Sequence, residues 1–387
     1  MTVSTRTIAV ALAAAIAVAA SPGPARAEAA EGLPALDGDK LAGIITGLPD
    51  DQVSAALVQI RGPAGEWAGT SGTTSLRNAA PPRPDSRFRI GSITKVFTAV
   101  VVLQLMAEKR IDLDRPIERY LPHDFPPRYP DIPVRDLLDF TSGLNSKFDV
   151  DTKDPEWFLE HRFDLVGHRD HLDTSQLPSF PPGTAQRYAD IDYLMLGLLV
   201  ERVTGHSWAS EVHRRIIDPL HLTGTSTPAD DPRIPGPHVH GYEATDDGWV
   251  DISAANPSLQ WSAASMISTA PDLDRLLVAL FGGRLLPAAQ LEEMFTVPDV
   301  PLFGSTKDRA SIGAPFTRTV FNGVTIWAKS GDRPGYNNAM ASTRDLSRRL
   351  VYSVNPLHMG TSEPPAVAKA VIGATFVGQS SPAARST

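Results

Sequence analysis

Ser92 and Lys95 stand three residues apart in Gly91-Ser92-Ile93-Thr94-Lys95. A serine hydroxyl is a weak nucleophile at neutral pH unless an adjacent base takes its proton. A lysine amine can be that base where burial or a neighbouring cation lowers its proton affinity. Residues at i and i+3 share a helix face, so a helix starting at Ser92 sets both side chains within contact. Its N-terminus also points backbone N–H groups at a developing oxyanion. This is the only S-x-x-K in the chain. Only eight of its 36 basic residues are lysine, so a lysine here points to a proton that must come off.

The surrounding sequence must hold that pair in place. Arg87 to Ile90 reads as a short strand running into Gly91-Ser92, and Ser92 to Lys109 contains neither Gly nor Pro. A helix is expected there, capped by Ser92. Val96 to Met106 is apolar on nearly every side, the mark of a buried helix. Upstream, Val53 to Arg61 (VSAALVQIR) has strand character. The turn-rich Gly62-Pro63-Ala64-Gly65 joins it to Glu66–Leu76, which suggests a hairpin. Between about 110 and 257, Pro-rich loops separate helical patterns at Val134–Phe140 and Tyr193–Thr204. Strand signals return at Thr317–Ala328, Ala339–Ser342 and Arg349–Val354. The expectation is an α/β layer built from both chain ends around a mostly helical insertion. Two further segments border the expected elements. Tyr188-Ala189-Asp190 follows a Pro-Gly turn and precedes an apolar helix, and Lys329-Ser330-Gly331 closes the strand VTIWAKSG. Taken singly, Tyr188 also reads as a core tyrosine and Lys329 as a strand-end surface charge.

Composition narrows the function class. The net charge is −8 with no basic block, which sets nucleic acid aside as a partner. There is no cysteine, which excludes disulfides, thiol catalysis and thiolate zinc sites. Residues 1–27 read as a secretory signal peptide: Arg6, the apolar run Ile8–Ala20, the breakers Pro22-Gly23-Pro24, then Ala25-Arg26-Ala27. The apolar run is too short to span a bilayer, and no later segment is long enough to anchor the mature chain. An extracytoplasmic protein is expected, with one domain over 28–379 and a disordered tail at 380–387. The pair His238/His240 and the loose group His161, His168 and His171 lack an accompanying carboxylate pattern, so no metal is expected. No G-x-S-x-G elbow is present, which argues against the α/β-hydrolase route.

Six segments in order resemble the serine β-lactamase and penicillin-binding-protein superfamily, in its branch of class C β-lactamases, D-alanyl-D-alanine carboxypeptidases and related esterases. They are RIGSITKVFTAVVVLQL, IPVRDLLDFTSGL, PPGTAQRYADIDYLMLG, DPLHLTGTS, SAASMISTAPDLDRLL and KSGDRPGY. The resemblance implies an antiparallel sheet flanked by helices, with Ser92 acylated and Lys95 its base. Tyr188 would relay a proton to the leaving group, and Lys329 would hold the second cationic position. Ser330 would bind a substrate carboxylate, and the N–H groups of Ser92 and Asp332, after Gly331, would form the oxyanion hole. No cofactor is implied. The partner would be a small-molecule or peptide acyl substrate, with D-alanyl-D-alanine carboxypeptidase or β-lactamase-related hydrolysis foremost. Esterase, lactonase and acyl-transferase outcomes remain open on the same fold, as does a non-catalytic binding protein. One position departs from the pattern: the second motif usually ends in Asn, and here it ends in Asp190. An ionised carboxylate cannot donate a hydrogen bond to a substrate carbonyl, so a substrate offering a cation or donor there is expected.

Overall fold

The computed structural model describes residues 32–148, 154–246, 248–358 and 364–377. The leader and the tail expected at 380–387 lie outside them. In chain order the first elements are α1 (Gly38–Ile45), β1 (Val53–Arg61), β2 (Trp67–Gly72), β3 (Phe88–Arg89) and α2 (Thr94–Ala107). Next come α3 (Val134–Leu138), α4 (Pro155–His161), α5 (Asp190–Thr204), α6 (Trp208–Val212), β4 (Tyr242–Thr245) and β5 (Gly248–Asp251). After them follow α7 (Trp261–Ala264), β6 (Ile267–Ser268), α8 (Ala270–Phe281) and α9 (Ala288–Phe295). The chain closes with β7 (Thr317–Phe321), β8 (Val324–Arg333), β9 (Tyr336–Thr343), β10 (Arg349–Pro356) and α10 (Ala366–Ile372).

The main sheet is antiparallel with strand order β2-β1-β10-β9-β8-β7, so strands from both ends of the chain meet where β1 pairs with β10. Both faces of β1 are buried, and its alternation explains how. Ala56, Val58 and Ile60 pack with α1 and α10, while Ala55 and Leu57 join the larger core around α2 and α8. Helix α2 is buried along nearly its whole length, which is why a Val-rich sequence of modest intrinsic helix propensity is helical here.

Two local expectations change. Thr317–Ala328 is not one strand: Asn322 and Gly323 both have positive φ (49° and 82°) and reverse the chain between β7 and β8. Asn-Gly is the residue pair such a hairpin turn demands. Ser92 does not cap α2, because it sits in a 3-10 turn (Gly91–Ile93) ahead of it and makes no capping bond.

That turn is set by contact with β8. Strand β7 pairs with β8 only as far as Thr317↔Ala328, so Lys329–Arg333 is paired to β9 alone and presents a free edge. A Cβ at Gly331 would lie 1.9 Å from the Ile90 carbonyl oxygen, and one at Gly91 (φ 51°) would lie 2.7 Å from the Asp332 nitrogen. The buried Asn338 side chain ties the same two segments together, donating to the carbonyls of Arg89 (2.8 Å) and Gly331 (3.0 Å). Gly331→Ala should therefore push β8 off the turn and cost about 1–3 kcal/mol, the range for overpacking a tight contact. Denaturant unfolding against the wild-type chain measures this; an unchanged midpoint would show that the contact is loose.

Candidate active site

Lys95 is the centre of the site. Its side chain is 0% exposed, and its Nζ donates three hydrogen bonds: to Asp190 Oδ1 at 2.6 Å, Ser92 Oγ at 3.1 Å and the Ala263 carbonyl at 3.2 Å. Three donors meet three acceptors, which suits an ammonium. Burial by itself would lower the proton affinity of this amine, but the charge and hydrogen bond of Asp190, with Tyr188, outweigh it and hold Lys95 above its ordinary range. Asp190 moves the other way: burial would raise its carboxyl, and Lys95 brings it below the usual carboxylate range, with help from Lys329 and Arg333. The Asp190 side chain keeps about one third of its surface open.

The three acceptors come from three elements. Ser92 lies in the turn before α2, Asp190 is the first residue of α5, and Ala263 lies in α7. Side-chain bonds lock those elements together. Thr98 in α2 donates to the Ser262 carbonyl (2.7 Å), and Ser262 Oγ donates to the Tyr193 carbonyl (2.9 Å).

Tyr188 lies between two amines, its ring centre 4.9 Å from Lys95 Nζ and 4.8 Å from Lys329 Nζ. Lys329 is buried, and its Nζ donates to the Ser330 carbonyl at 2.9 Å. Burial, and then the like charge of Lys95, lower the proton affinity of Lys329 against the opposing pull of Tyr188 and Asp332. Ser330 and Asp332 are exposed while Lys329, Gly331 and Arg333 are buried, the alternation of a strand. The structure thus gathers Ser92, Lys95, Tyr188, Asp190 and Lys329, and it sets the Ser330–Asp332 run against the Ser92 turn.

Supporting residues went unread in the sequence. Phe140, held at φ +65°, packs against Tyr188 with ring centres 4.6 Å apart and the rings tilted by 36°. Gln186 is buried and uses both ends of its amide, donating to the Asp139 and Ile312 carbonyls and accepting from the Ser311 and Ile312 amides. It fixes the backbone two residues before Tyr188. The buried Arg333 also belongs here, four residues beyond Lys329 on β8. Burial, then the like charge of Arg89, lower its guanidinium to about 9. Its only sequence signal was a charge beside the Pro334-Gly335 turn. Among the described residues, no three or more His, Cys, Asp or Glu side chains are grouped so that they could hold a metal ion. Nor do those residues include a helix long and apolar enough to cross a membrane.

Asp190→Asn should lower the proton affinity of Lys95, since the carboxylate that raises it is gone. Carbon-13 NMR of ε-labelled lysine, followed against pH across eight lysines, measures this. The wild-type Lys95 signal should keep its ammonium position past the ordinary lysine value of 10.5, and the variant should titrate lower. Equal titration in both would show that Asp190 does not control this amine.

The description "Beta-lactamase" belongs to a family model that matches residues 41–372. A D-stereospecific amidohydrolase from Streptomyces sp. is 32% identical, with a TM-score of 0.76 over 89% of this chain and 99% of that one. D-amino acid amidase from Ochrobactrum anthropi superposes with a TM-score of 0.72 over 87% of this chain and 98% of that one, at 22% identity, a likeness of fold alone. Esterase EstB of Burkholderia gladioli is 32% identical over 163 residues, 37% of this chain and 38% of the esterase. The chain thus matches well under half the length of the curated relatives. Family model and structural likeness over most of the chain agree, and the chain belongs to the Beta-lactamase family.

Proposed function

We propose that this chain is a serine amidohydrolase that forms an acyl-enzyme at Ser92 and acts on amides or esters of small amino acids bearing a free amine, with preference for the D configuration. The observation that carries this is Lys95 Nζ bridging Ser92 Oγ and the Asp190 carboxylate. The full-length likeness to a D-stereospecific amidohydrolase supports it.

Chemistry and charge meet at Asp190. With Lys95 protonated at rest, the site lacks a free base beside Ser92. A substrate ammonium placed against the open part of Asp190 offsets its charge, weakens its hold on the Lys95 proton and lets Lys95 release that proton to solvent water, leaving a neutral amine. Ser92 Oγ then attacks the carbonyl carbon as Lys95 takes its proton. The oxyanion forms against the N–H groups of Ser92 and Asp332. Tyr188, between the two amines, passes a proton to the leaving amine as the C–N bond breaks. Water, losing its proton to the same groups, attacks the ester and releases the acid and Ser92. Lys329 keeps positive potential over the Tyr188 side of this path. Nothing in these steps calls for a cofactor.

The test is intact-protein mass spectrometry after exposure to a fluorophosphonate, with a panel of D- and L-alanine p-nitroanilide, their N-acetyl analogues, p-nitrophenyl butyrate, a D-Ala-D-Ala peptide and nitrocefin. The expected result is one adduct, absent in Ser92→Ala, and fastest turnover of the free-amine D-anilide. Turnover undiminished in Ser92→Ala, or no adduct at all, would sink the reading. Preference for the D-Ala-D-Ala peptide would instead favour the carboxypeptidase outcome.

We also infer export, from the leader pattern of residues 1–27. Expression in a secreting host should yield a soluble chain beginning at Glu28, read by mass spectrometry; retention of residues 1–27 in the exported chain would refute that cleavage.

A further inference from the structure

Arg89, Arg215, Arg333 and Arg348 are the buried arginines among the described residues. Three of them are anchored. Arg89 donates to the carbonyls of Ser253 (2.9 Å), Pro232 (2.6 Å) and Ala255 (3.3 Å). Arg215 is bound by the carboxylates of Glu108 and Glu211, and Arg348 donates to the carbonyls of Thr375 and Ala64. Arg333 is 8% exposed, yet it makes no hydrogen bond or ion pair with the described residues. A guanidinium carries five N–H donors and cannot shed its charge readily. No Arg333 nitrogen is among the buried unpartnered side-chain atoms of the described residues, so its guanidinium keeps contact with solvent while lacking a protein acceptor, and the neighbouring Arg89 adds like-charge repulsion. Asp190 is the carboxylate whose attraction it feels, and Asp190 Oδ1 is already taken by Lys95. The adjacent Asp332 sits on the opposite face of the strand and accepts from Asn337 at 2.5 Å.

Position along β8 gives the idle charge a meaning. Lys329, Gly331 and Arg333 share one face of the strand edge that β7 leaves unpaired. At about 3.3 Å per residue, Lys329 and Arg333 stand about 13 Å apart. The Gly331–Asp332 peptide that touches the Ser92 turn lies between them. A substrate laid along this edge with its carbonyl at Ser92 has one half toward Lys329 and the other toward Arg333. We propose that Arg333 is a specificity residue of the acyl subsite, binding an anionic group at the far end of the acyl chain while Asp190 takes its α-ammonium. The substrate class is then the amide of an amino-dicarboxylic acid. This deepens the amidohydrolase reading above and rests on it.

Two probes differ only in that charge: the α-p-nitroanilides of D-glutamate and D-glutamine. The wild-type chain should favour the glutamate anilide by about tenfold or more in kcat/KM, the scale of a hydrogen-bonded charge contact. The preference should vanish or reverse in Arg333→Met and partly survive in Arg333→Lys. Because the readout is a ratio within each protein, a general loss of activity in a variant leaves it interpretable, and the wild-type ratio stands without any variant. A wild-type ratio of one or less, or the same ratio in Arg333→Met, would overturn the proposal. D-Alanine p-nitroanilide separates the two readings: cleavage that depends on Ser92 together with a flat ratio refutes only the role of Arg333. Failure to cleave any of the three anilides refutes the amidohydrolase reading and this proposal with it.

Discussion

A lysine with no exposed side-chain surface must bring its own acceptors into the core, and the arrangement around Ser92 follows from how Lys95 does so. An isolated ammonium in that environment would be far too costly to keep charged. Lys95 is satisfied by one hydroxyl, one carboxylate and one carbonyl, drawn from the turn before α2, the start of α5 and α7. Those elements can shift relative to one another only by breaking a bond to the same nitrogen. The cross-links from Thr98 and Ser262 tighten the same contact from the apolar side. The chemical site and the helix packing are thus one structure.

The cost of this solution is a lysine that rests in its protonated form. Asp190 makes Lys95 easy to bury and hard to deprotonate, two consequences of one Coulombic attraction. Lys329 and Arg333 add further positive charge, while Tyr188 sits among amines whose proton affinities respond to one another. In such a set the proton inventory belongs to the group as a whole. A ligand that places charge at one member therefore changes the state of the others.

Close approach of two backbones is the second requirement. Gly331 lets β8 lie against the Ile90 carbonyl, and Gly91 adopts the left-handed conformation opposite Asp332. Because β7 ends at the partner of Ala328, the β8 edge beyond it is unpaired beside the Ser92 turn. Length of pairing, rather than any single side chain, leaves that edge unpaired.

Much of this was legible in the residue order. VSAALVQIR and the apolar stretch after Ser92 could hardly be other than a buried strand and helix, and the spacing of Ser92 and Lys95 put them on one side of a turn. Less visible were features that depend on contacts remote in sequence. The Asn322-Gly323 turn split a strand that looked continuous. Ser92 left the capping position that its type suggests because β8 holds the Gly91–Ile93 turn. Phe140 and Gln186 support the Tyr188 segment through bonds to neighbours that no local pattern reveals. The sequence by itself determined which groups could do chemistry and the elements that carry them, since periodicity and residue type are local properties. Only the tertiary structure decided that Lys95 rests as an ion pair with Asp190 and that Arg333 has no acceptor among the described residues. Charge state and hydrogen-bond satisfaction depend on what lies within a few ångströms in space, and those neighbours are about a hundred residues or more away along the chain.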